Sequence, residues 1–130
     1  LKAQGIPVIL HPTMMRSSGV GKNASMDTAA KLIAAGVPVA MGSGYESYVP
    51  KTRVVLWEAA IACAYGCEFQ DALGLITHSA AALLGIGDRV GSLEVGKDGD
   101  AALFDGDPFE YTSHCLGTVI EGEVVSDQPR

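Results

Sequence analysis

Two short runs, Ile6-Pro7-Val8-Ile9-Leu10 and Val37-Pro38-Val39-Ala40-Met41, carry no polar side chain, and they constrain the fold more than any other feature. A strand with one wet face alternates polar and apolar residues. A strand without alternation is covered on both faces, as in parallel sheets. Pro7 has no N–H to give to a ladder, so it belongs at the first position of its strand. Between the runs, Ser25 is placed to cap a helix with Asp27 in its first turn. Ala29, Ala30, Leu32 and Ile33 supply an apolar stripe, and Gly36 ends the helix. Strand, helix, strand with unalternating strands implies a parallel pair with a right-handed crossover, hence an α/β fold with helices on the sheet faces.

Downstream, Met14 to Asn23 and Gly42 to Pro50 read as loops, the second at the C-terminal end of the second strand. Helices are expected from Lys51 or Thr52 to near Gly66, from Glu68 to Ile76, and from Ser79 to Leu84, the last capped by Thr77 and stopped by Gly85. The pattern changes after Gly87. Val90 to Gly96 and Ala101 to Asp105 read as short strands around the turn Lys97-Asp98-Gly99-Asp100, and 119–125 as a pair turning at Gly122. The units therefore divide as 1–87 and 88–130. Two parallel strands, the helices and a β tail cannot close a barrel and leave raw sheet edges. Leu1 to Gly5 reads as the tail of a helix already under way, so the expectation is a part of something larger, or of an assembly.

Composition narrows the partners. The 130 residues are 48% hydrophobic and 18% charged, a globular balance. A formal net charge of −6 argues against nucleic acid and anionic membrane, both of which need basic patches. No apolar run approaches the roughly 18–20 residues that span a bilayer, and there is no signal-peptide pattern. Three cysteines leave at least one unpaired, and Cys63 and Cys67 lie one helical turn apart, consistent with reduced thiols and a cytoplasmic setting. Gly19-Val20-Gly21-Lys22 lacks both the leading glycine and the Ser/Thr of a phosphate-binding loop, since Asn23 stands in the last place.

The run from Thr77-His78-Ser79-Ala80-Ala81 through Leu84-Gly85 to Gly91-Ser92-Leu93-Glu94-Val95-Gly96-Lys97-Asp98-Gly99-Asp100 resembles the closing signature of the amidohydrolase superfamily. There, T-x-N-P-A opens a helix and G-S-[IL]-x-x-G-K-x-A-D returns the chain to a small β-domain. Phe104-Asp105-Gly106-Asp107-Pro108 and Gly117-Thr118-Val119-Ile120-Glu121-Gly122-Glu123-Val124-Val125 are similar to the segments that follow it. The two apolar runs resemble the seventh and eighth barrel strands of the imidazolonepropionase-like branch. The resemblance implies the C-terminal part of a (β/α)8 barrel, its last two β/α units, followed by strands of a small β-sandwich domain.

It also implies a chemistry. Such enzymes hydrolyse non-peptide C–N bonds, in cyclic amides, amidines or related small molecules, with zinc or another divalent metal that activates water. Of the family's ligands only an Asp after the eighth strand falls in this range, and the sequence reads Met41-Gly42-Ser43-Gly44-Tyr45-Glu46, with Gly44 in the Asp position. Glu46, two residues on, and His11, just after the first strand on the rim of an active site, are the remaining candidates. His11 also reads as a loop histidine bonding local backbone. His78 replaces the family Asn at a helix start, and His114 reads as a surface residue. The three share no metal-ligand spacing. The chain is therefore expected to bind no metal and to be inactive alone, completed by a missing N-terminal part or by its own copies. The alternative is a non-catalytic, oligomerising or binding remnant of the same fold.

Overall fold

Pro7 stands where its missing N–H requires, one residue ahead of β1 (Val8–Leu10). The structure, a computed structural model, describes residues 1–11, 22–43, 45–46, 49–50 and 54–127. β1 pairs in parallel with β2 (Val39–Met41), with Val8 opposite Val39 and Leu10 opposite Met41. Two further bonds extend the ladder, Val8 N–H to the Pro38 carbonyl (2.9 Å) and Gly42 N–H to the Leu10 carbonyl (2.8 Å). A side chain at Gly42 would come within 3.0 Å of Ile9 Cγ2, so glycine suits the place where the strand ends draw together.

The crossover helix α1 (Thr28–Ala34) starts later than its capping pattern suggests. Ser25 is not the cap. Its hydroxyl donates to Asp27 Oδ1 instead of accepting from the helix, and Asp27 takes the N-cap position without a side-chain cap bond. α2 (Val55–Ala64), α3 (Phe69–Gly74) and α4 (His78–Leu83) follow; the expected start of α2 at Lys51 or Thr52 lies outside the described residues. Thr77 holds the N-cap position of α4 without a side-chain cap bond, its hydroxyl donating to the Leu73 carbonyl instead. The Gly42–Pro50 stretch adds a two-residue antiparallel ladder of β3 (Tyr45–Glu46) and β4 (Val49–Pro50). Among the described residues no helix is long and apolar enough to cross a membrane.

Helices α1, α2 and α4 pack against β2, and all three β2 residues are buried. Coverage on both faces thus holds for β2 but not for β1, where Ile9 is 63% exposed. The core joins Ala29, Val37, Val39, Met41, Ala62, Cys67, Ala72 and Leu75, with small residues letting the helices close on the strand. Met41 N–H donates to the Leu75 carbonyl (2.9 Å), which binds the far side of β2 to the end of α3.

The tail forms one antiparallel sheet in the order β5 (Ala101–Phe104), β6 (Cys115–Ile120), β7 (Glu123–Ser126). Val90 to Gly96 is not a strand. The Ser92 hydroxyl donates to Glu94 (2.6 Å), Lys97 Nζ donates to Ser92 (2.7 Å), and Lys97 N–H returns to the Glu94 carbonyl, so the polar groups close locally and the segment curls. Asp100 bonds beyond its own turn. Its Oδ1 accepts from Glu121 N–H (2.8 Å), tying β5 to the β6–β7 turn. Between β5 and β6, Phe109 reaches back to Phe69 of α3, ring centroids 5.1 Å apart and tilted by 51°, and packs on the helical core.

Candidate active site

Parallel strands present their C-terminal ends to ligands, because that end gathers the loops and leaves room between them. Here the β1 end delivers His11 and the β2 end delivers Gly42 and Ser43. Glu58 approaches from the first turn of α2. Its carboxylate is fully buried, and Oε1 lies 3.0 Å from Nε2 of His11, whose side chain keeps 23% of its exposure. A lone carboxylate in an apolar interior is costly; one held by an imidazole is not left uncompensated. One partner of His11 is thus a helix residue.

Such a pair has defined chemistry. With Nε2 as the donor to Glu58, the neutral ring carries its lone pair on Nδ1, and the carboxylate fixes the ring plane. This arrangement can accept a proton from one group and return it to another.

The other candidates are not brought to this pair. Gly44 and the side chain of Glu46 lie outside the described residues, as does most of the Met14–Asn23 loop. His78 begins α4 and packs on Gly74 so closely that a Cβ there would overlap its ring; its Nδ1 is 3.3 Å from the Ser79 hydroxyl. His114 is a surface residue whose backbone N–H (2.7 Å) and Nδ1 (3.2 Å) both meet the Asp105 carboxylate. That backbone bond, with help from the ring, holds the Asp105 carboxyl below its ordinary value of 3.8. Burial first, then the charges of Asp71 and Cys63, push the Cys67 thiol up, away from the thiolate that binds metal or attacks carbon.

Among the described residues no three of His, Cys, Asp or Glu converge where an ion could sit. The metal implied by the family resemblance does not fit them, and no step is derived through it. A cavity of about 630 Å3 opens between α2 and the β5–β6 connection, beside Trp57, Phe109 and Tyr111, but neither His11 nor Glu58 lines it.

Glu58 escaped the sequence reading. Its signal was there: one acid inside Val54-Val55-Leu56-Trp57-Glu58-Ala59-Ala60-Ile61-Ala62, a helix apolar on nearly every side. A helix of that kind is buried, and a buried acid needs a partner.

Comparison with known proteins agrees with this architecture. The profile of the Amidohydrolase family matches residues 7–126. Imidazolonepropionase of Bacteroides fragilis is 32% identical over 103 residues, 70% of this chain and 23% of that protein. The enzyme of Porphyromonas gingivalis is 30% identical over 120 residues, 87% of this chain and 28% of that one. The crystal structure of an amidohydrolase from Thermotoga maritima MSB8 superposes with a TM-score of 0.83 at 32% identity, covering 97% of this chain and 33% of that chain. The chain belongs to the amidohydrolase family, in its imidazolonepropionase-like part. It spans about a quarter of the length of those imidazolonepropionases and a third of the Thermotoga chain.

Proposed function

We propose that this chain is the C-terminal portion of a hydrolase acting on non-peptide C–N bonds of small molecules, and that alone it is inactive. Residues 1–87 supply the last two β/α units of a (β/α)8 barrel, and residues 88–130 supply strands to a composite β-sandwich domain. The observation that carries this reading is the superposition of 97% of the chain on one third of the Thermotoga amidohydrolase. The exposure of Ile9 fits it as well, since a parallel pair is stable only within a larger covered sheet.

In this reading the small-molecule substrate lies over the strand ends, near His11 and Ser43. Zinc or another divalent ion takes its ligands from strands that this chain does not contain. Two measurements test it. The purified chain should release no ammonia or amine from a panel of cyclic amides, amidines and aminopyrimidines, and elemental analysis should find no stoichiometric metal. One or two metals per chain would overturn the expectation of inactivity alone. Grafted in place of the matching third of the Thermotoga amidohydrolase, it should give a soluble protein that hydrolyses a member of the panel. A folded graft with no C–N hydrolysis would sink the function.

The same exposed apolar residues, Ile9 and Trp57 (58% exposed), favour a second reading, in which copies of the chain cover one another as a non-catalytic assembly. Sedimentation decides between them: a monomer at micromolar concentration excludes the assembly, and a defined oligomer supports it.

A further inference from the structure

We propose that the cavity between α2 and the β5–β6 connection binds a small organic ammonium ion, a cationic nitrogen carried on an apolar or aromatic body. The proposal does not rest on the C–N hydrolase reading. The sequence supplies both walls. α2 is apolar on nearly every side, and its inner face is spent on the core at Ala59 and Ala62. Apolar surface is therefore left on its outer face, where Trp57 lines the cavity and stays 58% exposed. The connection facing it contributes Tyr111, 90% exposed, and the carboxylates of Asp107 and Glu110.

That second wall is held in place by the chain itself. At its base the Asp105 carboxylate accepts from the His114 backbone N–H and lies 3.2 Å from the ring Nδ1, while Asp105 N–H donates to the His114 carbonyl (3.2 Å). Further along, Phe109 N–H donates to Asp107 Oδ1 (2.8 Å), and the Phe109 ring packs on Phe69 of α3. The cavity is thus formed in advance of any ligand. Its volume of about 630 Å3 falls within the roughly 300–1,000 Å3 of small-molecule sites.

The lining selects a cation. Its two charged groups are both carboxylates, and among the described residues no lysine, arginine or histidine lines it. One oxygen of Asp107 is engaged by Phe109 N–H, whereas the Glu110 carboxylate and the Tyr111 hydroxyl have no partner among the described residues. The electron-rich faces of indole and phenol rings attract a positive nitrogen, and a nearby carboxylate adds a full opposite charge. An anion would meet two acids, and a neutral molecule would leave them unused. An amine cation with an apolar body engages both kinds of wall.

Trp57 is the only tryptophan of the chain, so its emission reads this cavity directly. Benzyltrimethylammonium, benzyl alcohol and phenylacetate present one aromatic body with positive, zero and negative charge. Titrated into the chain, the cation should change Trp57 emission saturably and bind about tenfold more tightly than the alcohol, and the anion should give no saturable change. Glu110→Gln, and Asp107→Asn, which keeps an oxygen for Phe109 N–H, should each weaken the cation about threefold, the scale of one exposed charge contact, and leave the alcohol unchanged. The wild-type series decides alone if either variant fails to fold. Equal affinity for cation and alcohol, no saturable change with the cation, or variants that weaken both probes alike overturn the proposal. Sedimentation of the same samples covers the other occupant: a dimer whose dissociation accounts for the emission change would assign the cavity to a second copy and also overturn it.

Discussion

At the scale of single residues, the buried Glu58 carboxylate is the group with most at stake. Removing it takes a buried ion-pair partner from His11 and side-chain volume from a helix face whose neighbours Ala59 and Ala62 are buried. Glu58→Ala should cost about 3–5 kcal/mol, the usual penalty for breaking a buried pair, read as a lower denaturant midpoint. Asp105 makes a milder, pH-dependent contribution. Its folded pKa lies below the ordinary 3.8, so its stabilisation is present above that value and is lost as pH falls through the lower folded one. Asp105→Asn should therefore lower the melting temperature at pH 7, and the gap to wild type should close in acid below the carboxylate range. The place of His11 after a strand was legible in the sequence. Glu58 was not, because acids in helices usually face water and only the apolar surroundings marked this one.

At the scale of elements, the runs without alternation read correctly as a parallel pair, although burial on both faces, the reason for the reading, holds for β2 and not for β1. Val90 to Gly96 did not read correctly, although Leu93 and Val95 alternate with polar Ser92 and Glu94. Leu93 is 79% exposed and Val95 fully so, and side-chain bonds among Ser92, Glu94 and Lys97 close the backbone on itself. Alternation identifies a strand only where a face is buried. Gly91 anchors this curl: its φ is +94°, and a Cβ would meet Ala81 Cβ at 2.7 Å and the Thr77 carbonyl at 3.1 Å. Gly91→Ala should destabilise by roughly 2–4 kcal/mol, joining left-handed backbone strain to an overpacked contact with α4; a thermal melt measures it. The β6–β7 turn offers the opposite change. Glu121 and Gly122 both have positive φ, 52° and 81°, as a two-residue type I′ turn requires, and glutamate fits that region poorly. Glu121→Asn keeps the N–H that Asp100 accepts and should stabilise by about 0.5–1 kcal/mol, part of the left-handed cost, seen as a raised melting temperature.

At the scale of the whole molecule, Phe109 binds the tail sheet to the helices through Phe69, so the two stretches share apolar contacts across the change in sequence character at Gly87. That junction was not legible in the sequence. Phe109 lies in a connection between strands, where an aromatic residue gives no sign of which surface it will cover. The fold of the first stretch was legible from two strands and one helix, because a parallel crossover leaves few alternatives.

The Met41–Leu75 hydrogen bond has a consequence in time as well as in place. Most of the strand ladder can fray from the exposed β1 side, but the Met41 amide points the other way, into the buried contact with the end of α3. Its exchange with deuterated water should follow global opening, while the Val8 amide, which serves the β1 edge, exchanges through local fluctuation at a lower cost. Denaturant should then accelerate Met41 far more than Val8, and equal acceleration of both would show that strand and helix open independently. The amide of one methionine therefore serves as a clock for the unfolding of the whole chain.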